Sequence, residues 1–182
     1  MPTPAIIIVV VLLVIFGFRI LQRLSLPETL SYVDPSDPEL LNAIADAQNS
    51  LPYFWDKRAS AINPDDYFLK IRLEGPKDAE SIWISNPSIE GDEVTGIVNQ
   101  SPALLDVKEG DRVRCAVSSI NDWMYTESDR MHGNFTGRVL AKPQNMSKRQ
   151  YEEIQKSFAP LPTAEELKDA YPAPSSDIEP TT

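Results

Sequence analysis

The sequence predicts an α+β protein: one N-terminal transmembrane helix, then a small, mostly antiparallel, bent sheet or partial β-barrel flanked by short helices. Three observations predict this. Residues 5–18 carry no charge. The hydrophobic period changes from helical spacing to two at Tyr67, and returns to helical spacing after residue 140. Strands and helices do not alternate along the chain, which argues against a parallel nucleotide-binding sheet.

The N-terminal run reads AIIIVVVLLVIFGF over residues 5–18, with Arg19 and Arg23 after it. A spanning helix needs about 20 apolar residues, and roughly 17 is the lower limit. Pro2 and the Ile20–Leu21 pair bring the segment to that limit, because Arg19 can extend its guanidinium to the interface. A cleaved signal peptide needs cations before the apolar core and small residues at a cleavage site after it. Neither is present, and no nearby cysteine can accept a lipid. Residues 1–23 are therefore read as a retained anchor with a basic flank, contacting membrane lipid through the helix. The two arginines follow the span, so the positive-inside bias places the domain on the cytoplasmic side.

Seventeen Lys and Arg stand against 27 Asp and Glu, a net charge of −10. Such a field repels a phosphate backbone, so nucleic acid is not expected as a partner, whereas a basic protein surface fits. Cys115 is the single cysteine and His132 the single histidine. An intrachain disulfide, a thiolate cluster and a two-histidine metal site are thereby excluded, and no metal or other cofactor is expected.

Residues 24–36, rich in Pro, Ser, Thr and Asp, read as a linker. A helical lead-in covers 37–66. Asp37 can cap its first helix, with Pro38 and Glu39 favourable in the first turn. Leu40, Leu41, Ile44, Ala47 and Leu51 form one stripe expected to be buried, and Pro52 interrupts it beside Tyr53, Phe54 and Trp55. Residues 67–142 form the β-rich part. Tyr67, Leu69, Ile71 and Leu73 alternate with Phe68, Lys70 and Arg72, and short strands follow around Trp83, Val94–Val98, Val113–Val117 and Trp123–Thr126. The segment 135–140 is read as the last strand, and 128–133 as a loop before it. Two short helices are expected in 143–171, opened by Ser147 with Gln150 and by Thr163 with Glu166. Residues 172–182 read as a disordered tail.

One stretch is denser in unusual residues: Gly110-Asp111-Arg112-Val113, then Asp122-Trp123, then Gly133-Asn134-Phe135-Thr136-Gly137-Arg138, with Trp83 and Asn99 upstream. The residues propose a pocket with Trp83 and Trp123 as walls and Asn99, Asp122 and Arg138 as polar contacts, joined by His132, Gly133 and Thr136. Asp122 and Arg138 are candidates for an ion pair across neighbouring strands. The competing reading makes these residues structural, with Asp122 capping a turn, Arg138 satisfying it and the tryptophans filling the core. His132 is a candidate acid or base without an evident orienting partner, and Cys115 reads as a small buried hydrophobe. The chain lacks a P-loop, a G-x-G-x-x-G and a G-x-S-x-G elbow.

Over residues 67–140 this series resembles the DUF2314 family, the YegJ-like proteins, through the DW pair followed by G-x-x-T-x-R. The matching positions are Trp83, Asn99, Gly110, Asp122, Trp123, Gly133, Thr136 and Arg138. The resemblance implies a bacterial protein, a setting among membrane or exported proteins and, for some members, a part in interbacterial competition. It implies no activity. Together with the anchor it places the chain in a bacterial inner membrane as a single-pass protein. The expected function is a membrane-tethered, non-enzymatic binding module with a protein partner. The alternatives are an immunity or inhibitor protein against a bacterial toxin, and a hydrolase-like enzyme using Asp122, His132 and Arg138.

Overall fold

The computed structural model describes residues 36–76, 78–141 and 147–170. The chain divides into two units, Met1–Val33 and Asp34–Thr182, and all of the first lies outside the described residues. So do the expected anchor over 1–23, the expected linker except Ser36, and the expected tail over 172–182. Among the described residues no helix is long and apolar enough to cross a membrane.

Helix α1 (Pro38–Asn49) starts as its sequence dictates: the Asp37 carboxylate accepts the Glu39 amide at 2.8 Å, and a proline occupies the first turn. Its inward face is narrower than the apolar stripe. Ala43 and Ala47 are buried, Leu40 and Ile44 are half-buried, and Leu41 is 49% exposed. The small residues win because the backbone itself is a ligand: the Trp123 indole N–H donates to the Ala47 carbonyl at 3.1 Å and to the Ser50 hydroxyl at 2.9 Å. Ser50 separates α1 from α2 (Leu51–Ala59), which takes Pro52 into its first turn. Phe54 of α2 is fully buried, with its ring centroid 5.6 Å from Trp123 and 5.7 Å from Tyr67.

A short 3₁₀ turn, Pro64–Asp66, leads into β1 (Tyr67–Glu74). Strands β2 (Ala79–Glu90), β3 (Glu93–Val98), β4 (Arg112–Ala116), β5 (Ile120–Glu127) and β6 (Arg130–Gly133) complete an antiparallel sheet in the order β4-β3-β2-β1-β5-β6. The end strands β4 and β6 do not pair with each other, so the sheet is open and the partial-barrel alternative is corrected. Register sorts the side chains by face. Leu69 stands opposite Ile84 and Trp123, whereas Lys70 stands opposite Trp83 and Asp122. The first face, with Leu69, Ile71, Ile82, Ile84 and Trp123 fully buried, packs under α1 and α2. The second face carries Phe68, Lys70, Trp83 and Met124, all half-buried.

Two further expectations are corrected. The segment 128–133 is not a loop. Ser128 and Asp129, with φ of 51° and 59°, make a two-residue hairpin turn, and His132 lies on β6. Nor is 135–140 a strand: it is helix α3 (Phe135–Leu140). Gly133 and Asn134 are consecutive left-handed residues, φ 73° and 53°, which turn the chain off the strand direction. The Asn134 side-chain oxygen then accepts the Gly137 amide at 3.2 Å and caps the new helix.

Helices α4 (Lys148–Ser157) and α5 (Ala164–Ala170) follow, each opened by the expected reciprocal cap. In the second, the Glu166 carboxylate accepts the Thr163 amide at 2.7 Å while the Thr163 hydroxyl accepts the Glu166 amide at 3.3 Å. Between them the buried pair Phe158 and Ala159 lies along β6, bridging in parallel to Met131, whose carbonyl accepts the Ala159 amide at 2.8 Å.

Candidate functional site

Asp122 of β5 is fully buried and is the hub of the motif residues. Its Oδ1 accepts the Trp123 amide at 2.8 Å and the Phe135 amide at 3.0 Å. Its Oδ2 accepts the Thr136 amide at 2.8 Å and the Thr136 hydroxyl at 2.6 Å. Two of these four donors are the opening amides of α3, where a negative charge is favoured. Burial pushes the Asp122 carboxyl above its ordinary range, and the Thr136 donors, the Lys70 charge and the Trp123 amide oppose that push.

The expected ion pair between Asp122 and Arg138 is not formed. Arg138 points from α3 toward the segment that follows α4. Its Nε donates to the Gly133 carbonyl at 2.8 Å and its Nη2 to the Ala159 carbonyl at 2.7 Å, and its guanidinium lies 4.4 Å from the centre of the Phe158 ring. Arg130 donates to the Phe158 carbonyl. The two arginines therefore clamp Phe158–Ala159 onto β6. Arg138→Ala is expected to cost about 2–3 kcal/mol, from two charge-assisted hydrogen bonds and one stacked contact. Arg138→Lys should recover less than half of that, because an ammonium cannot reproduce the planar fork. Urea unfolding curves of the three proteins test this, and an unchanged midpoint for the alanine variant would refute it.

The pocket expected between Trp83 and Trp123 is corrected by the register. Trp123 faces α1 and α2, and Trp83 faces the other way beside Lys70. His132 likewise shares the first face with Tyr125, whose ring it stacks on at 4.5 Å and 7°, while Asp122 faces the second. The arrangement Asp122, His132 and Arg138 required for a hydrolase is thus not assembled. Tyr125 stacks in turn on Tyr67 at 4.9 Å. Asn99 is exposed, and its amide donates to the Trp83 carbonyl at 2.9 Å. Cys115 is half-buried, and burial raises its thiol pKa.

Burial pulls the His132 imidazole below its ordinary pKa. Glu127, 3.9 Å from Nε2, opposes this, and Arg130, Arg138 and Lys57 add to it. A histidine with a depressed folded pKa is protonated first in the unfolded state. Its contribution is complete above the unfolded value of about 6.5 and is lost as pH falls through that value toward the folded one. Stability is therefore expected to fall on acidification from about pH 7.5 to about pH 5.5. His132→Gln should flatten that part of the profile, which denaturant titrations at a series of pH values would show.

Lys70 belongs to this constellation and was not among the residues expected. Its ammonium donates to the Thr136 hydroxyl at 3.3 Å and lies 5.7 Å from the centre of the Trp83 ring. Burial lowers its pKa, and Asp122 opposes that shift. In sequence a lysine alternating with apolar residues reads as solvent-facing, and only the register with β2 and β5 reveals its neighbours. Two cavities are present, and neither is lined by Lys70 or Asp122. One of about 460 Å³ is lined by Leu73, Gly75, Leu105, Val107 and Val113. The other, about 280 Å³, lies between α1 and α3 and includes Ala43, Phe135, Arg138 and Leu161. Among the described residues no group of three His, Cys, Asp or Glu is placed to hold a metal ion.

Residues 37–159 match the model of a family described as an uncharacterized protein conserved in bacteria, DUF2314. A Neisseria meningitidis serogroup B protein named for ankyrin repeats is 28% identical over 119 residues, covering 60% of this chain and 47% of its own length. The uncharacterized protein YegJ of Escherichia coli is 24% identical over 98 residues, covering 52% of this chain and 64% of its own. The chain thus spans about half to two thirds of the curated relatives it matches. No solved structure matches. The matched segment takes in α1, the whole sheet, the Asp122 hub and the clamped Phe158–Ala159, and it exceeds half of the chain: this protein belongs to the DUF2314 family.

Proposed function

We propose that the chain is a non-enzymatic binding module for a protein partner, held at a bacterial inner membrane by its N-terminal segment with the domain in the cytoplasm. One observation carries the binding reading: the polar residues of the shared motif are committed to the fold. Asp122 takes four donors, Arg138 takes two carbonyls, and Asn134 caps α3. The half-buried second face of the sheet is left to meet a partner. A relative named for ankyrin repeats adds support, since stacked repeats present extended binding surfaces. The charge of −10 favours approach by a basic protein surface. A neutralised toxin would be one such partner. The tether rests on the uncharged run over 5–18 followed by Arg19 and Arg23.

Photo-crosslinking in intact cells, followed by membrane isolation and a carbonate wash, tests both halves. The full-length chain should stay in the washed membrane and carry the same crosslinked protein in wild type and in His132→Ala. Full-length chain in the soluble fraction would overturn the tether. Loss of the crosslink in the histidine variant, with folding intact, would overturn a binding role that does not use His132.

A further inference from the structure

Strand β4 ends the sheet, and no strand lies along its outer side among the described residues. The two ends of its ladder with β3 fix which backbone groups are in use. The Val98 amide donates to the Asp111 carbonyl at 2.9 Å, and the Val117 amide donates to the Asp92 carbonyl at 2.9 Å. The register between them is continuous. Antiparallel partners exchange bonds at every second residue. Val113 and Cys115 are therefore spent on β3, while the amides and carbonyls of Arg112, Arg114 and Ala116 point outward. All three of these residues are exposed. The cavity of about 460 Å³ lies against the same strand, with Val113 and Arg114 lining it beside Leu73, Leu105 and Val107. A free strand edge next to an apolar cavity suits strand addition, in which the backbone binds and the cavity selects a side chain.

Charge narrows the occupant. Residues 90–93 and 106–116, which border the edge, hold six carboxylates against three cations. Arg114 is taken by Glu93 at 2.8 Å, which leaves Glu90 and Asp92 exposed beyond the Ala116 end. At the cavity, Arg72 lies 3.7 Å from Glu74 and offsets it. A second copy of the chain fits poorly. The antiparallel register that joins all three outward residues of two copies sets Arg114 against Arg114, and like charges directly opposite are destabilising.

We propose that β4 takes an extended segment of a protein partner as an added antiparallel strand. An apolar side chain sits beside Val113 in the cavity, uncharged side chains stand opposite Arg112 and Arg114, and cations lie beyond Ala116 toward Glu90 and Asp92. The proposal rests on the binding-module reading and supplies its contact. The added strand continues the sheet and so enlarges its second face.

The test uses the full-length protein in neutral detergent, with backbone amides followed by NMR hydrogen exchange. The probes are the acetylated, amidated peptide Lys-Lys-Thr-Val-Thr-Val-Thr, two versions N-methylated at the threonines or at the valines, and a counterpart with glutamate for both lysines. The parent peptide should slow exchange at Arg112, Arg114 and Ala116 at least tenfold and leave Val113 and Cys115, already bonded to β3, unchanged. Methylation at threonine removes the donors that face β4 and should abolish binding. Methylation at valine, on the side facing away, should be tolerated. The glutamate peptide should bind several-fold more weakly. Ala116→Pro tests the protein side: its φ of −67° already suits proline and its N–H lies outside the ladder. Its melting temperature should hold while peptide binding falls at least tenfold. The pair of methylated peptides on the unaltered chain decides the matter if that variant does not fold. No protection at millimolar peptide, equal binding of the threonine-methylated peptide, equal binding by folded Ala116→Pro, or tighter binding of the glutamate peptide would overturn the proposal. So would a peptide-free dimer whose three outward amides are already protected. A cellular partner crosslinked equally to Ala116→Pro would overturn this edge and leave the binding-module reading standing. Edge binding of the peptide with no cellular partner would do the reverse.

Discussion

Gly133→Ala is expected to destabilise the domain by about 4 kcal/mol and to lower its melting temperature by roughly 15 °C. Two costs combine. The backbone at Gly133 has φ +73°, where a side chain adds about 1–2 kcal/mol of strain. A Cβ there would also lie 2.3 Å from the Trp123 carbonyl oxygen and 2.4 Å from its ring, well inside contact. Trp123 cannot yield, because its indole N–H is held by Ala47 and Ser50 and its ring is wedged by Phe54 and Phe135. Gly110→Ala is the control. It has φ +93° but open space around the new methyl, so only the strain of about 1 kcal/mol is expected. Equal losses in thermal unfolding of the two variants would show that the Trp123 contact is unimportant.

Asp122→Ala should cost a similar amount, about 4 kcal/mol, by a different route. It strands three backbone amides and the Thr136 hydroxyl without an acceptor, and leaves Lys70 without its nearby counter-charge. Asp122→Asn should cost about half as much, since the remaining oxygen keeps part of the network while the new NH₂ opposes donors. Combining Asp122→Ala with Lys70→Met should recover about 1 kcal/mol relative to Asp122→Ala alone, because the half-buried cation is then gone. Chemical denaturation of the single and double variants gives the coupling directly. Strict additivity would sever Lys70 from the hub.

Much of this architecture was legible from local chemistry. The Asp37–Pro38 start, the break at Pro52, the strands around Tyr67 and Val113, and the caps at Ser147 and Thr163 are short-range signals, and the fold honours them. What failed depended on register. Phe135–Leu140 alternates like a strand, but Gly133 and Asn134 set the chain in left-handed geometry and hand its first amides to Asp122. Trp83 and Trp123 looked like two walls of one pocket. A strand's period of two, with β1 between them, puts them on opposite faces once Trp83 pairs with Lys70 and Trp123 with Leu69. Arg138 was paired with Asp122 because both are charged. Its real acceptors are neutral carbonyls, one of them in Ala159, twenty-one residues away, and composition carries no trace of them.

The clamp on β6 also sets how these molecules can stick to one another. One flank of the sheet is sealed by Phe158–Ala159, while β4 carries no neighbouring strand among the described residues. Among the described residues one strand edge, Arg112–Ala116, is bare, so two copies pairing through it would use up the bare edge of each. Unseating Phe158 would bare a second edge, on β6. Arg130 and Arg138 thus hold in place the segment that covers this edge.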